Sequence, residues 1–260
     1  MEDNFILDGE RIDTVNKNIR LIQKKNGLTF GTDAYLLSAF IRPSKYHKAA
    51  ELGSGTGIIS LLLAASDKLS KIYAVEIQKE FSELCQRNII LNGLSEKVVS
   101  VCADVRHLRP EEFNGEFDIV FSNPPYMKSN SGKRNEHDEK FIARHEVCGD
   151  IKDFCVSASR LLKFGGSFYC VYRPDRMADL FAAMRQNKLE PKRMIFVHAD
   201  SDTPPSMLLV EAKKGGACGL GILPPLFLHM PTGDKSGKRE LTAKAQKVYD
   251  SCSFEYFGKG

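Results

Sequence analysis

The sequence of 260 residues contains no tryptophan and no apolar run long enough to cross a membrane. Its longest apolar stretch covers residues 57–65, whereas a membrane-spanning helix needs about 20 apolar residues. Residues 1–4 are acidic and polar, and so they lack the basic and apolar regions of a signal peptide. These absences predict a cytoplasmic protein with no membrane partner.

Paired cysteines are also missing. The seven cysteines are odd in number and contain no C-x-x-C pair, which argues against a disulfide framework and a structural zinc site. Residues 137–139 and 145–146 offer histidine and carboxylate groups, but the H-E-x-x-H spacing of a zinc enzyme is absent. We therefore predict reduced thiols and no bound metal.

An excess of charge of one sign is nearly absent. Lys and Arg number 37 against 33 Asp and Glu, so the net charge of +4 permits a polyanionic partner without requiring one. The chain also lacks repeats and long linkers, which favours one domain. We expect a single domain over residues 1–260, with an N-terminal extension (1–47), a core (48–215) and a C-terminal extension (216–260).

From residue 48 onward, short apolar runs alternate with helical patterns. Strands joined by helices predict right-handed crossovers and an α/β fold with a parallel sheet and helices on both faces. The last two predicted strands are separated only by a short turn-rich loop, so they should be antiparallel. The predicted strands cover residues 48–52, 71–77, 98–103, 117–122, 167–172, 194–198 and 207–212, and the predicted helices 57–65, 79–91, 149–163 and 177–189.

Residues 51–57, Glu-Leu-Gly-Ser-Gly-Thr-Gly, join the first of these strands to a helix. Glycines at such a turn permit positive φ and let a ligand lie against bare backbone at the helix N-terminus. Glu76 ends the second strand, where a carboxylate can accept hydrogen bonds from both ribose hydroxyls of a nucleoside. Asp104 ends the third strand and is a candidate for an adenine amino group. The alternatives are a tight packing turn and, for Asp104, a helix cap.

The fourth strand leads into Asn123-Pro124-Pro125-Tyr126. Two prolines remove amide donors, so the exposed polar groups of this turn are mainly acceptors. An amino group conjugated to a ring is a poor nucleophile because its lone pair is delocalised. If the Asn123 side-chain oxygen and the Pro124 carbonyl each accept one N–H, the nitrogen lone pair becomes localised. Tyr126 would supply a flat face for stacking of the substrate base. The alternative is a strand-ending turn with a buried tyrosine.

Together, these motifs resemble class I S-adenosylmethionine-dependent amino-methyltransferases over roughly residues 48–215. The resemblance implies a Rossmann-like fold with a seven-stranded, mostly parallel sheet of order 3-2-1-4-5-7-6, the seventh strand being antiparallel. Residues 30–37 (Phe-Gly-Thr-Asp-Ala-Tyr-Leu-Leu), 143–146 and 223–229 narrow the resemblance to the bacterial tRNA1(Val) (adenine37-N6)-methyltransferases.

That resemblance implies S-adenosyl-L-methionine as cofactor, tRNA as partner, and N6 of adenine 37 in a valine tRNA as target, in a protein expected to be monomeric. The catalytic residues it implies are Asn123, Pro124, Pro125 and Tyr126. The cofactor-binding residues it implies are Thr32, Asp33, Glu51, Gly53, Ser54, Gly55, Gly57, Glu76, Ile77, Asp104, Val105 and Asn123.

Other functions stay open on sequence grounds. Methylation of a glutamine in a translation release factor poses the same lone-pair problem, but that group carries a helical domain before the glycine loop, and only 50 residues precede Glu51. A DNA adenine methyltransferase is disfavoured because no segment is large enough for a separate target-recognition domain. The intact residues 123–126 argue against a binding module without chemistry, and a nicotinamide dehydrogenase would have no use for them. Two groups of basic residues are either phosphate contacts or solvated surface: Lys128, Lys133, Arg134, Lys140 and Arg144, and Lys235, Lys238, Arg239, Lys244 and Lys247.

Overall fold

A computed structural model describes residues 6–25, 31–124, 149–231 and 239–254. An N-terminal hairpin precedes a central sheet flanked by helices. The strands are β1 (Glu10–Asn16), β2 (Ile19–Lys24), β3 (Ser44–Leu52), β4 (Leu69–Glu76), β5 (Val98–Cys102), β6 (Phe117–Ser122), β7 (Leu162–Tyr172), β8 (Leu189–His198), β9 (Pro205–Lys214), β10 (Gly221–Ile222) and β11 (Leu226–Phe227). The helices are α1 (Thr32–Phe40), α2 (Ile58–Ala65), α3 (Lys79–Leu91), α4 (Ile151–Leu161), α5 (Met177–Gln186) and α6 (Ala243–Ser251).

The central sheet has the α/β, Rossmann-like architecture that was predicted. Its seven longer strands lie in the order β5-β4-β3-β6-β7-β9-β8, which is the order that the resemblance implies. The neighbours from β5 to β7 are parallel, and β9 is antiparallel to both β7 and β8. The expected count of seven strands is wrong, because β10 and β11 also pair with β8, which gives the sheet nine strands within the described residues.

Helices cover both faces of the sheet and form one core on each. Along β6, Ile119 and Phe121 belong to the core under α1, α2, α3 and α6, whereas Val120 belongs to the core under α4 and α5. This alternation follows from the period of two in a strand, which sends successive side chains to opposite faces. A sheet buried on both sides explains why its strands read as nearly continuous apolar runs.

The hairpin of β1 and β2 packs on α3 through two asparagines one helical turn apart. Asn88 accepts from the Ile22 N–H at 2.7 Å and donates to the Ile22 carbonyl at 3.2 Å. Asn92 makes the same exchange with Arg20, at 2.9 and 2.7 Å. The two amides therefore satisfy β2 as a neighbouring strand would. Asn88 also donates to the Thr56 carbonyl at 3.1 Å, which connects the hairpin to the glycine loop.

Helix α1 is anchored at its C-terminus by a buried lysine. Lys68 is only 5% exposed. Its ammonium group donates to the carbonyls of Ser38, Ala39 and Ile41 at 2.7, 3.3 and 3.1 Å. These carbonyls have no partner within the helix, and a cation is favourable at the negative end of the helix dipole. The contact holds in place a helix whose other end reaches the candidate site.

Several boundaries differ from the predictions, among them the starts of β3, β7 and β8, which lie earlier in the chain than predicted. The helix predicted over residues 149–163 ends at Leu161, and Gly165 and Gly166 lie inside β7 instead of ending the helix. Residues 163–166 form an irregularity in the strand, because Phe117 pairs with Leu162 and the next ladder pair is Ile119 with Ser167. None of the helices within the described residues is both long and apolar enough to span a bilayer.

Candidate active site

Four parallel strands end at one edge of the sheet and bring the predicted residues together. The glycine loop follows β3, Glu76 ends β4, Asp104 follows β5 and Asn123 follows β6. Because β3 lies between β4 and β6, the crossovers diverge there to opposite sides. Such a switch point opens a crevice beyond the strand ends. Glu76 and Asp104 therefore lie on one side of the glycine loop and Asn123 on the other.

The glycine loop turns through left-handed backbone. Gly53, Gly55 and Gly57 have φ of 74°, 54° and 84°, a region that favours glycine. Gly57 immediately precedes α2, and a Cβ built there would lie 2.5 Å from the Cys85 Sγ. A side chain at Gly57 is thus disfavoured by conformation and by space. Gly57 therefore allows the start of α2 to pack closely on Cys85 of α3, whereas a Cβ built on Gly55 would meet nothing within 4 Å, which leaves open space beside the middle of the loop.

Glu76 ties the glycine loop to the end of β4. It is 5% exposed, and its Oε2 accepts the Gly55 N–H at 2.9 Å while its Oε1 accepts the Gln78 N–H at 2.9 Å. A carboxylate has about four acceptor sites, so each oxygen retains a lone pair for a further donor. The arrangement is compatible with the predicted contact to ribose hydroxyls.

Glu51 lies beneath the same loop and is 1% exposed. Its carboxyl group accepts from the Ser60 N–H at 3.1 Å and from the Ser60 hydroxyl. Burial raises the pKa of Glu51 to about 8, although the hydrogen bonds from Ser60 act in the opposite direction. The side chain is therefore mostly protonated at neutral pH, and it connects the end of β3 to α2.

Asp104 is bound locally by an arginine that the sequence reasoning did not consider. It caps the short 3-10 helix Val105–His107, accepting the Arg106 N–H at 2.9 Å, and it pairs with the Arg106 guanidinium at 2.6 Å. The hydrogen bonds from Arg106 hold the pKa of Asp104 below its usual value. The alternative of a helix cap is thus correct, and an adenine amino group would share this carboxylate with Arg106. The signal in the sequence was a basic residue, Arg106, two positions after Asp104.

Asn123 lies half-buried at the end of β6 and is followed by buried Pro124. Its Nδ2 donates to the Asp33 Oδ2 at 2.8 Å. The neighbouring Ser122 hydroxyl donates to the Leu52 carbonyl at 2.7 Å, which joins the end of β6 to the end of β3. Pro125 and Tyr126 lie outside the described residues, so their predicted roles stay predictions.

Asp33 and Thr32 form the first turn of α1, a segment held by the C-terminal helix. The Thr32 side chain hydrogen-bonds to Tyr249 of α6. The Tyr35 hydroxyl donates to the Tyr249 carbonyl at 2.6 Å, and the two tyrosine rings lie 4.9 Å apart. The C-terminal extension therefore supports the turn that contacts Asn123.

A cavity of about 550 Å³ opens beside Asp33. Pockets for small ligands commonly measure about 300–1,000 Å³, so it is large enough for one nucleoside. Sequence reasoning missed the end of β7 and the start of β9 as parts of this cavity. The available signal was that both segments lie at the same sheet edge. Its lining residues are Thr32, Asp33, Tyr172, Arg173, Pro174, Asp175, Pro205, Ser206 and Met207.

Few of the remaining candidate residues fall within the described part of the chain. Residues 127–146, with their basic, histidine and carboxylate groups, lie outside it, as do Lys235 and Lys238. Arg239 lies 3.6 Å from Asp200 in an ion pair. Within the described ranges, no three His, Cys, Asp or Glu side chains are grouped closely enough to hold a metal ion.

Comparisons with known proteins give a consistent family. The family model described as methyltransferase small domain matches residues 24–187. The chain is 27% identical over 199 residues to the tRNA1(Val) (adenine(37)-N6)-methyltransferase of Parabacteroides distasonis, covering 75% of this chain and 81% of the relative. It is 25% identical over 214 residues to the protein of the same name from Escherichia fergusonii, covering 76% and 86%.

Solved structures show the same fold. A predicted O-methyltransferase from Agrobacterium tumefaciens superposes with a TM-score of 0.65 at 22% identity, covering 85% of this chain and 97% of that chain. The TYW2 protein of M. jannaschii, solved in complex with AdoMet, superposes with a TM-score of 0.55 at 16% identity, covering 80% and 87%. At these identities the likeness concerns the fold.

Proposed function

The chain belongs to the methyltransferase small domain family, and on that basis we propose that it methylates the exocyclic N6 of an adenine in tRNA, with adenine 37 of a valine tRNA as the target. It is an S-adenosyl-L-methionine-dependent methyltransferase. Curated relatives whose alignments cover about three quarters of this chain bear the name tRNA1(Val) (adenine(37)-N6)-methyltransferase, which supports the choice of substrate.

The residues of the crevice fit the cofactor. The glycine loop has open space beside Gly55, where a built Cβ would meet no atom within 4 Å, so a ligand can approach the backbone there. Glu76 would hold the ribose hydroxyls through its remaining lone pairs, and Asp104 would accept from the adenine amino group beside Arg106. When bound, S-adenosyl-L-methionine supplies an electrophilic methyl group on a sulfonium. Thr32, Ser54, Ile77 and Val105 complete the proposed binding set.

Asn123 and Pro124 would prepare the amino group for attack. Each of their oxygens accepts one N–H, so the nitrogen lone pair is withdrawn from the adenine ring and directed at the methyl group. The nitrogen would become cationic as it gains the methyl group, while the methyl–sulfur bond breaks and its electron pair stays on sulfur as a neutral thioether. The nitrogen would then lose a proton to solvent, so a strong general base is not needed. Catalysis in this scheme is mainly positioning and dipolar stabilisation.

One observation carries the proposal. An acceptor amide, that of Asn123, ends the strand next to the glycine loop, with its nitrogen held by Asp33. A nucleoside cofactor and an exocyclic amino group would therefore meet at the crevice between β3 and β6. A glutamine amide presents the same two N–H groups, so the substrate class needs a direct test.

The test uses tritiated S-adenosyl-L-methionine with tRNA, ribosomal RNA, DNA and a release factor in separate reactions. We expect label in tRNA alone, as N6-methyladenosine at position 37, and loss of that nucleoside from the tRNA of a deletion strain. Label in a glutamine of the release factor would favour the alternative. No transfer to any of the four acceptors would refute the assignment.

We also propose that the chain forms a single domain, is monomeric and is located in the cytoplasm. Light scattering coupled to size exclusion should give the mass of one chain, alone and with cofactor. A concentration-independent dimer would contradict the monomer.

A further inference from the structure

The Asp33 carboxylate makes two contacts that place it against Asn123. Its Oδ1 accepts the Ala34 N–H at 2.9 Å, and its Oδ2 accepts the Asn123 Nδ2 at 2.8 Å. The two residues are 90 positions apart in the sequence, so the pairing is purely tertiary. A negative charge in the first turn of a helix is also favoured by the helix dipole, which keeps the carboxylate where it is.

The neighbouring Gly31 gives the carboxylate its space. A Cβ built on Gly31 would lie 2.6 Å from the Asp33 Oδ1, closer than two such atoms can approach. The φ of Gly31 is −107°, which any residue can adopt, so backbone conformation does not explain the glycine. The close approach of the Asp33 side chain does.

A carboxylate determines which way an asparagine amide points. It accepts hydrogen bonds and cannot donate them, so only the Nδ2 side of Asn123 can face Asp33. The Oδ1 is thereby kept as the acceptor on the other side of the amide. In the flipped amide, Nδ2 would face the substrate amino group, donor against donor. The hydrogen bond to a charged partner also polarises the amide and makes its oxygen a better acceptor.

We propose that Asp33 is a positioning residue for the methyl transfer, which holds the Asn123 amide in the one orientation that can accept an N–H from the substrate. This inference rests on the proposed function, because it assigns Asp33 to the reaction through Asn123. The resemblance assigns Asp33 to the cofactor, and the experiment below separates the two roles.

The experiment compares Asp33→Ala, Asp33→Asn and Gly31→Ala with the wild type under single-turnover conditions, using unmodified tRNA. We expect Asp33→Ala to lower the methylation rate about 10- to 100-fold, the scale of one hydrogen bond to a charged group. Asp33→Asn should recover most of the rate, because its side-chain oxygen still accepts from Nδ2. Gly31→Ala should lower the rate with Asp33 present, because the added Cβ displaces the carboxylate. Asp202→Ala, the same charge change on an exposed loop at this sheet edge, is the control.

Two further measurements distinguish positioning from cofactor binding. The affinity for S-adenosyl-L-methionine, measured by calorimetry, should change less than about threefold in Asp33→Ala, since cofactor contacts are unaffected. In an Asn123→Ala background, Asp33→Ala should lower the rate no further, because its effect passes through the missing amide. A large loss of cofactor affinity, or fully additive rate losses, would overturn the proposal.

A spectroscopic readout is independent of the substrate. The side-chain amide signals of Asn123 in a ¹⁵N–¹H correlation spectrum, identified by their loss in Asn123→Ala, should shift in Asp33→Ala and Gly31→Ala but not in Asp202→Ala. Unshifted signals in both would refute the contact. If the wild type methylates no tRNA while these shifts occur, the proposed function fails and the Asp33 contact stands.

Discussion

The buried carboxyl of Glu51 should make the stability of the folded protein fall as pH rises. Its pKa is about 8 in the folded protein, raised mainly by burial, against 4.5 for an ordinary glutamate. Between these values the folded state binds a proton that the unfolded chain does not. The free energy of unfolding should therefore decrease across this window, by up to about 1.4 kcal/mol per pH unit, and level off above pH 8.

The substitution Glu51→Gln imitates the protonated side chain and removes this dependence. Over the full window the lost stability of the wild type amounts to on the order of 4–5 kcal/mol. At pH 5 the variant should be less stable by about 1–3 kcal/mol, because its amide adds a buried donor next to Ser60. At pH 9 the order should reverse. The two stability curves are thus expected to cross between these limits.

Urea denaturation at five pH values from 5 to 9 measures the difference in the free energy of unfolding between the wild type and Glu51→Gln. Glu96→Gln, the same chemical change on the exposed surface, is the matched control and should differ from the wild type by a constant amount. If the difference between wild type and Glu51→Gln is also flat from pH 5 to 8, Glu51 is ionised in the folded protein and the reasoning from burial is wrong.

Three further substitutions test the site and its support. Asn123→Ala should lower kcat by about 10²–10³ with cofactor affinity nearly unchanged, since a transition-state hydrogen bond is removed; a wild-type single-turnover rate would contradict the mechanism. Glu76→Gln should weaken S-adenosyl-L-methionine binding by about 1.5–3 kcal/mol, because the single oxygen of an amide cannot accept from the Gly55 N–H, the Gln78 N–H and the ribose at once. Calorimetry on the folded variant measures this loss, and an unchanged Kd would remove Glu76 from the site. Lys68→Met should lower the free energy of unfolding by about 2–4 kcal/mol, because the carbonyls at the end of α1 lose their donor in a buried place. Urea denaturation measures this loss, with Lys45→Met at an exposed position as the control for a loss of charge. Equal small effects of both changes would exclude a capping role.

The glycine loop and the position of Asn123 after β6 could be predicted because their signals are local. A strand that runs into three glycines and an apolar helix predicts its own turn, and α3 and β6 begin and end where their patterns predict. Strands β10 and β11 could not be predicted, because two residues show no periodicity. They are strands only through pairing with β8. Gly165 and Gly166 gave a helix-end signal that strand pairing overrode.

The chemistry of individual side chains depended on neighbours that the sequence pattern did not indicate. Glu51 and Glu76 are both carboxylates at strand ends, yet Glu51 is under α2 with a raised pKa, and Glu76 holds the glycine loop. Asp104, a third carboxylate at a strand end, pairs with Arg106 through a local turn.

Local sequence patterns were sufficient to place the longer strands and helices of the core in order and to show which polar residues follow the strands, since hydrophobic period and turn residues act over a few positions. Parallel strands then bring those residues to one edge whatever their separation in the chain. The partner that each side chain receives depends instead on tertiary packing. The amide of Asn123 meets the carboxylate of Asp33 across 90 residues, and it does so because α1, held by Lys68 at one end and by Tyr249 at the other, packs against the sheet. A hydrogen bond between groups so far apart has no local signature, because it exists only once the helices have packed on the sheet.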